Sequence, residues 1–361
     1  NSDPNASGRL NYRLLKSFRP NSKGAQMDLG KFPPQLLETL LENITTDDPR
    51  VLTGPRVGED SSVIEMGEHC LVATSDPITL ATEDIGWYAV HVNSNDIACS
   101  GGTPKWFLPT LLVPESYSEE AASAIFHQIH EACSDIGVTI IGGHSEVSSG
   151  IKTPIVSATM LGEVQKENII RTSGAIAGDS IVLTKGIAIE GTTALANDYE
   201  TNLRDLGASE EVVTRAKGLL KDIGISVLRD AQIACSESQV NSMHDPTEGG
   251  LATALHELAS ASGLGIAIEE GSIPVLPECK SVTDLLGLDP LGLLASGALL
   301  ITLHSSEVPK LLRALQSEGI IGWEIGQMLD QEEGSIMIGN QGEVDLPVFS
   351  RDELARYISS L

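Results

Sequence analysis

Five carboxylates stand out by position: Asp60, Asp76, Asp96, Glu146 and Asp245 each fall at the end of a predicted strand or helix, and four have glycine within a few residues. Oxygen ligands at element ends, with few thiols or imidazoles nearby, suit magnesium rather than zinc. Two ionised carboxylates about 4 Å apart at an effective dielectric near 20 repel by about 4 kcal/mol, so a cluster of them requires cations. Magnesium bridging phosphate oxygens supplies that charge and polarises the phosphoryl group for attack. Each acid also has a plain structural alternative. Asp245 is placed to cap a helix, Asp76 before Pro77 to start a turn, and Asp60 and Glu146 to be solvated turn acids. There is no GxxxxGK[ST] loop and no GxGxxG after a strand. A triphosphate would be held through glycine-rich backbone and metal.

The elements that must position these acids follow from periodicity. Ile85, Tyr88, Ala89, Val92 and Ile97 recur at helical spacing and predict one apolar helix face, ended by Gly101, Gly102 and Pro104. This helix delivers Asn95 and Asp96 in its last turn. An aspartate there faces the negative end of the helix dipole, at a cost of a few tenths of a kcal/mol that something else must offset. Upstream, VGEDSSVIEMG and HCLVATSDPIT read as two strands carrying Asp60 and Asp76 at their breaks. Residues 106–113 read as a buried strand, 119–136 as a helix, VTII as a strand ending in GGHSEV, and 154–160 as a returning strand. Residues 165–180 are polar and glycine-punctuated, a domain junction, after which IVLTKGIAIEGT opens a second unit with Lys185 in a glycine-flanked turn. A helix over about 210–235 breaks near Gly224. In MHDPTEGGLATALHELASASG, Asp245 reads as N-cap, Pro246 as the first helical residue and Glu248 as the capping-box acid, with Gly263 closing the helix.

Composition narrows the classes. At 361 residues and 41% hydrophobic, the chain fits two packed domains of ordinary size. Aromatics are 4%, which removes the stacking platforms of single-strand nucleic-acid binders, and a net charge of -27 repels phosphate backbones and anionic membranes. No apolar run is long enough to span a bilayer. Five scattered cysteines without a CxxC pair argue for a reducing, cytoplasmic setting and against a disulfide framework or cysteine-held zinc. His127 and His130, at i and i+3, read as a solvated helix face in preference to a metal pair. Residues 1–26 carry Arg9, Arg13, Lys16, Arg19 and Lys23 against the single acid Asp3 and read as an extension or tag-like segment outside the fold.

Taken in order, GEDSSV (58–63), TSDPIT (74–79), NSNDIACSGGTP (93–104), IIGGHSEV (140–147), GAIAGDSIVLTKGIAIEGT (174–192), MHDPTEGGLATALHELASASGLGI (243–266) and LGLDPLGLLASGALLI (286–301) resemble the aminoimidazole ribonucleotide synthase superfamily. Within it they resemble the branch of the hydrogenase-maturation protein HypE. The resemblance implies an α+β, two-domain PurM-like fold: an N-terminal α/β domain over residues 27–168 that forms a dimeric β-barrel, and a C-terminal α/β domain over 174–361. It implies a homodimer, and ATP with Mg2+ in a cleft near the dimer interface.

By that resemblance Asp60, Asp76, Asp96 and Asp245 are metal ligands. Asp60, Asn95, Gly142, Gly143 and Glu146 are ATP-binding positions, and Lys185 and His144 are candidate catalytic groups. For each of the last two a bland alternative stays open, a surface lysine and a turn histidine. The expected activity is ATP-dependent activation of an amide-, carboxylate- or phosphate-bearing small molecule. The alternatives are a small-molecule kinase like the thiamine-monophosphate branch and an ATP-switched maturation or assembly factor. Two departures temper this. The chain ends in ISSL with its last cysteine at Cys279, so the cyanide-ligand chemistry of HypE proper is not carried over, and Glu248 stands where a basic residue is often seen.

Overall fold

The computed structural model describes residues 29–42, 44–79, 83–340 and 342–361. The basic segment 1–26 and Met27 lie outside the described residues. Among the described residues no helix is long and apolar enough to cross a membrane.

The first unit runs α1 (Pro34–Leu41), β1 (Val51–Thr53), β2 (Ser62–Glu65), β3 (His69–Ile78), α2 (Ile85–Cys99), β4 (Thr103–Val113), α3 (Glu119–Asp135), β5 (Thr139–Ile140), β6 (His144–Val147) and β7 (Ile155–Gln165). Its sheet has the order β1-β2-β3-β7-β4-β5, with β6 also pairing β4. The long central strands are antiparallel, β3 to β7 from His69↔Gln165 to Ile78↔Val156. They alternate buried and half-buried positions, as expected of strands with one covered face. The sheet is open within one chain.

The second unit runs β8 (Ser180–Thr184), α4 (Ile189–Asp198), α5 (Glu200–Asp205), α6 (Glu210–Asp222), α7 (Leu228–Glu237), β9 (Val240–His244), α8 (Gly250–Ser262), β10 (Gly265–Glu269), α9 (Pro277–Leu286), β11 (Leu300–Leu303), α10 (Val308–Ser317), β12 (Gly322–Leu329), β13 (Ser335–Gly339), β14 (Gly342–Asp345) and α11 (Glu353–Ile358). Its sheet order is β14-β13-β10-β12-β8-β11-β9. The predicted break at Gly224 separates α6 from α7, with Gly224 at φ 75.

The expectation of one apolar face on α2 is corrected. The helix is buried around its whole circumference, with only Trp87 partly open, and it encloses Asn93, Ser94, Asn95 and Asp96 as well as its apolar residues. The sheet covers one side and α3 another. A third side meets the second unit, so that Ile189, Leu219, Leu220 and Ile225 join the same core as Ile97, Phe107, Ile129 and Met160. Fully burying such side chains contributes about 1.5–3 kcal/mol each, which ties the two units together. Close approach of α2 to the sheet depends on Gly162, where a Cβ would collide with Ile97 and the Thr103 carbonyl.

The capping role expected of Asp245 is also corrected. Gly249 and Gly250 take positive φ (82 and 67), a tight turn that separates Asp245 from the first residue of α8. The Gly249 N–H donates instead to Asp352 Oδ2 at 2.7 Å, from the start of α11. Neither Pro246 nor Glu248 is in the helix. Asp245 is left free to face the cleft between the two units.

Candidate functional site

Asp60 precedes β2, Asp76 lies near the end of β3, Asp96 in the last turn of α2 and Asp245 directly after β9. The fold brings all four to one cavity of about 420 Å³ at the junction of the two units, together with Lys31, His244 and Glu257. A second cavity of about 450 Å³ adjoins it, sharing Lys31, Asp76 and Thr247 and adding Glu190 and Ser296. A larger cavity, about 540 Å³, lies near the C-terminal end of α2 beside Cys235 and Gln239, and none of the four acids lines it. Size alone does not mark this site.

Each acid is held. Thr74 Oγ1 donates to Asp96 Oδ2 at 2.5 Å. The Asp76 backbone is clamped by Asn93, whose Oδ1 accepts from the Asp76 N–H at 3.0 Å. Cys99 Sγ donates to Asp245 Oδ1 at 3.4 Å, while Asp245 Oδ2 is buried with no partner. Ligand atoms of Asp60, Cys99 and Asp245 lie within 4.8 Å of one another. His244 stands between two carboxylates, Nδ1 at 2.7 Å from Asp60 Oδ1 and Nε2 at 3.1 Å from Glu257 Oε2.

The electrostatics follow from this crowding. Burial, then Asp60, push the Asp245 carboxyl up to about 7. Burial, then Asp76, Asp245 and Asp60, hold Asp96 well above the usual carboxylate range. Burial also raises Asp76, with Lys31 pulling the other way. For His244, burial opposes the charged ring, but Asp60 and Glu257 outweigh it and hold the pKa well above the ordinary value. Burial disfavours the charged Glu257, yet Lys31 and His244 bring it down to about 2.

Buried like charges with an orphaned oxygen form a donor set that a hard divalent cation would satisfy. The residues present therefore fit magnesium, with Asp60, Asp76, Asp96 and Asp245 as the groups that would hold it.

Other expected positions lie elsewhere. Asn95, fully buried, faces away from the acids: its Nδ2 donates to the Ile225 carbonyl at 2.8 Å and its Oδ1 accepts from the Val227 N–H at 2.9 Å. It is a clamp between the two units, with both amide heavy atoms engaged there, and it is turned from Asp96 because adjacent helical residues point about 100° apart. Lys185 is not the surface lysine of the bland alternative. It is almost buried, 3.1 Å from the buried Asp230 carboxylate, and donates to the Ser226 carbonyl. Gly142, Gly143, His144 and Glu146 are exposed at the β6 edge of the first sheet. His144 Nε2 is 3.4 Å from Glu146 Oε2, and one chain does not bring them to the four acids. His127 and His130 are exposed on α3.

The sequence reading missed His244, Glu257, Thr74 and Lys31. The first three had a signal: His244 adjoins Asp245, Thr74 lies two residues before Asp76 on one strand face, and Glu257 lies on α8 below the Asp245 block. Lys31 had none, being 216 residues from the threonine it binds.

Two family models cover the chain: AIR synthase related protein, N-terminal domain, over residues 58–164, and its C-terminal domain over 177–339. A putative hydrogenase expression/formation protein of Methanocaldococcus jannaschii is 30% identical over 88% of this chain and 95% of its own length. The carbamoyl dehydratase HypE of Cupriavidus necator is 28% identical, covering 86% of this chain and 88% of its own. Among solved structures, a hydrogenase maturation protein HypE in complex with ATP superposes with a TM-score of 0.63 at 23% identity, over 88% of this chain and 96% of that one.

Proposed function

Because the chain belongs to the AIR synthase related family, in its HypE-like branch, we propose that it is a magnesium-dependent, ATP-binding enzyme that activates an oxygen of a small amide, carboxylate or phosphate. The observation that carries this reading is the convergence of Asp60, Asp76, Asp96 and Asp245 on one cavity, with Asp245 Oδ2 buried and unpartnered. A relative of the same fold solved with ATP supports the nucleotide half.

Bound magnesium would supply charge neutralisation and polarise the terminal phosphoryl group. The chain's own residues do the positioning. Thr74 fixes the rotamer of Asp96, Asn93 fixes the backbone at Asp76, and the doubly paired His244 orients Asp60. Walls from both units exclude water on one side, so these charges act at a lower effective dielectric than in bulk. The adjoining cavity that shares Asp76 and Thr247 is the place for the acceptor.

The same reading takes the active form as a homodimer paired through the first sheets. Ile140, Ile141 and Val147 at the β5 and β6 edge are exposed large apolar residues that such pairing would cover. Sedimentation as a monomer at micromolar concentration would refute the dimer.

The test of the function is calorimetric titration of ATP with and without magnesium, followed by an ADP-release assay on the same sample. Magnesium-dependent binding with slow basal turnover is expected. Absence of binding in both conditions overturns the proposal.

A further inference from the structure

Besides the charged His244 ring, a lysine reaches into the acidic cleft. Lys31 stands just before α1, and its Nζ donates to Thr247 Oγ1 at 2.9 Å and lies 4.0 Å from Glu257 Oε1. It borders both cavities, the acid-lined one and the one beside it. Lys185 is occupied by Asp230 and Ser226, His244 by Asp60 and Glu257, and Arg56, which also lines the acid cavity, is exposed. Among the described residues Lys31 is thus the ammonium placed between the acids and the adjoining cavity, where a terminal phosphate would meet its acceptor.

Its hold is light. The side chain is 50% exposed, and a single hydroxyl contact with a 4.0 Å ion pair is worth about 0–1 kcal/mol. Leu29 and Phe32 beside it are exposed, as are Leu36 and Leu40 on α1, so little apolar burial fastens this segment. Glu257, Glu248, Asp76 and Asp60 attract the ammonium. A divalent ion on Asp60 and Asp76 would reverse their part of that preference: it repels Lys31 and brings phosphate oxygens within reach of the flexible side chain.

We propose that Lys31 is the phosphate-facing cation of this site, a counter-ion to the acid cluster in the ligand-free chain that transfers to the terminal phosphate when a magnesium-nucleotide fills the cleft. This rests on the ATP reading above.

The experiment is calorimetry on the full chain, titrating magnesium chloride alone, then ATP and ADP each with magnesium, into wild type, Lys31→Gln and Lys31→Arg. Lys31→Gln is expected to bind magnesium alone about tenfold more tightly, since a competing charge is gone, and to lose about tenfold of the wild-type preference for ATP over ADP. Lys31→Arg keeps both quantities near wild type, which also shows that the position tolerates change. A Lys31→Gln chain that matches wild type in either quantity overturns the proposal. Wild type that binds magnesium but neither nucleotide sinks the ATP reading instead, and the magnesium titration then judges the counter-ion role by itself.

Discussion

Replacing Asp245 by asparagine should stabilise the ligand-free protein and abolish its response to magnesium-ATP. The side chain is 2% exposed, one oxygen has no partner, and burial together with Asp60 raises its carboxyl from 3.8 to about 7. A carboxyl raised in this way favours the folded state when protonated. The folded chain binds more protons than the unfolded one between these two values, so stability falls as pH rises through that window, and the full penalty is present above about 7. The shift corresponds to about 4 kcal/mol. The asparagine variant keeps an acceptor for Cys99 but carries no charge at this position, so urea denaturation near pH 8 should show a gain of roughly 2–4 kcal/mol, shrinking toward zero near pH 4. Wild type should recover about 2.7 kcal/mol when magnesium-ATP is at a hundredfold its Kd, and the variant should recover none. A variant no more stable than wild type near pH 8, or one that keeps the ligand's stabilisation, refutes the reasoning.

Other positions give independent tests. Asn95→Ala leaves the Ile225 carbonyl and the Val227 N–H buried and unpaired, at about 1–3 kcal/mol each; equilibrium denaturation should show a loss of about 2–5 kcal/mol, and a loss below about 1 kcal/mol would show that the clamp is dispensable. Lys185→Met strands the Asp230 carboxylate, 1% exposed, and should cost about 3–5 kcal/mol, most of it regained on adding Asp230→Leu. The double variant should bind magnesium-ATP within about twofold of wild type. Normal folding of Lys185→Met with lost nucleotide affinity would instead place that lysine in the nucleotide site.

Much of the fold was legible because its signals are local. The glycines that close α2 and α8, the break at Gly224 and the alternation along β3 and β7 lie in the segments they shape. The error on α2 has a physical source. A helix covered on three sides has no polar face, so apolar spacing on one stripe understates its burial. The cap assigned to Asp245 failed for a related reason: the turn chemistry of Gly249 and Gly250 outranked the capping-box pattern, and the group that bonds the Gly249 N–H comes from residue 352.

From its residues alone, this protein had two units, a family and four aspartates destined for element ends, because ordered motif blocks and turn residues are properties of the chain. Tertiary structure decided which polar groups meet. Asn95 and Asp96 are neighbours in sequence, yet α2 turns one toward Ile225 and Val227 and the other toward Thr74. Lys185 finds Asp230, while Lys31 reaches Thr247 across the whole fold. Pairings of that kind are set by how helices and sheets pack, and packing is a property of surfaces assembled from distant parts of the chain, which no local spacing encodes.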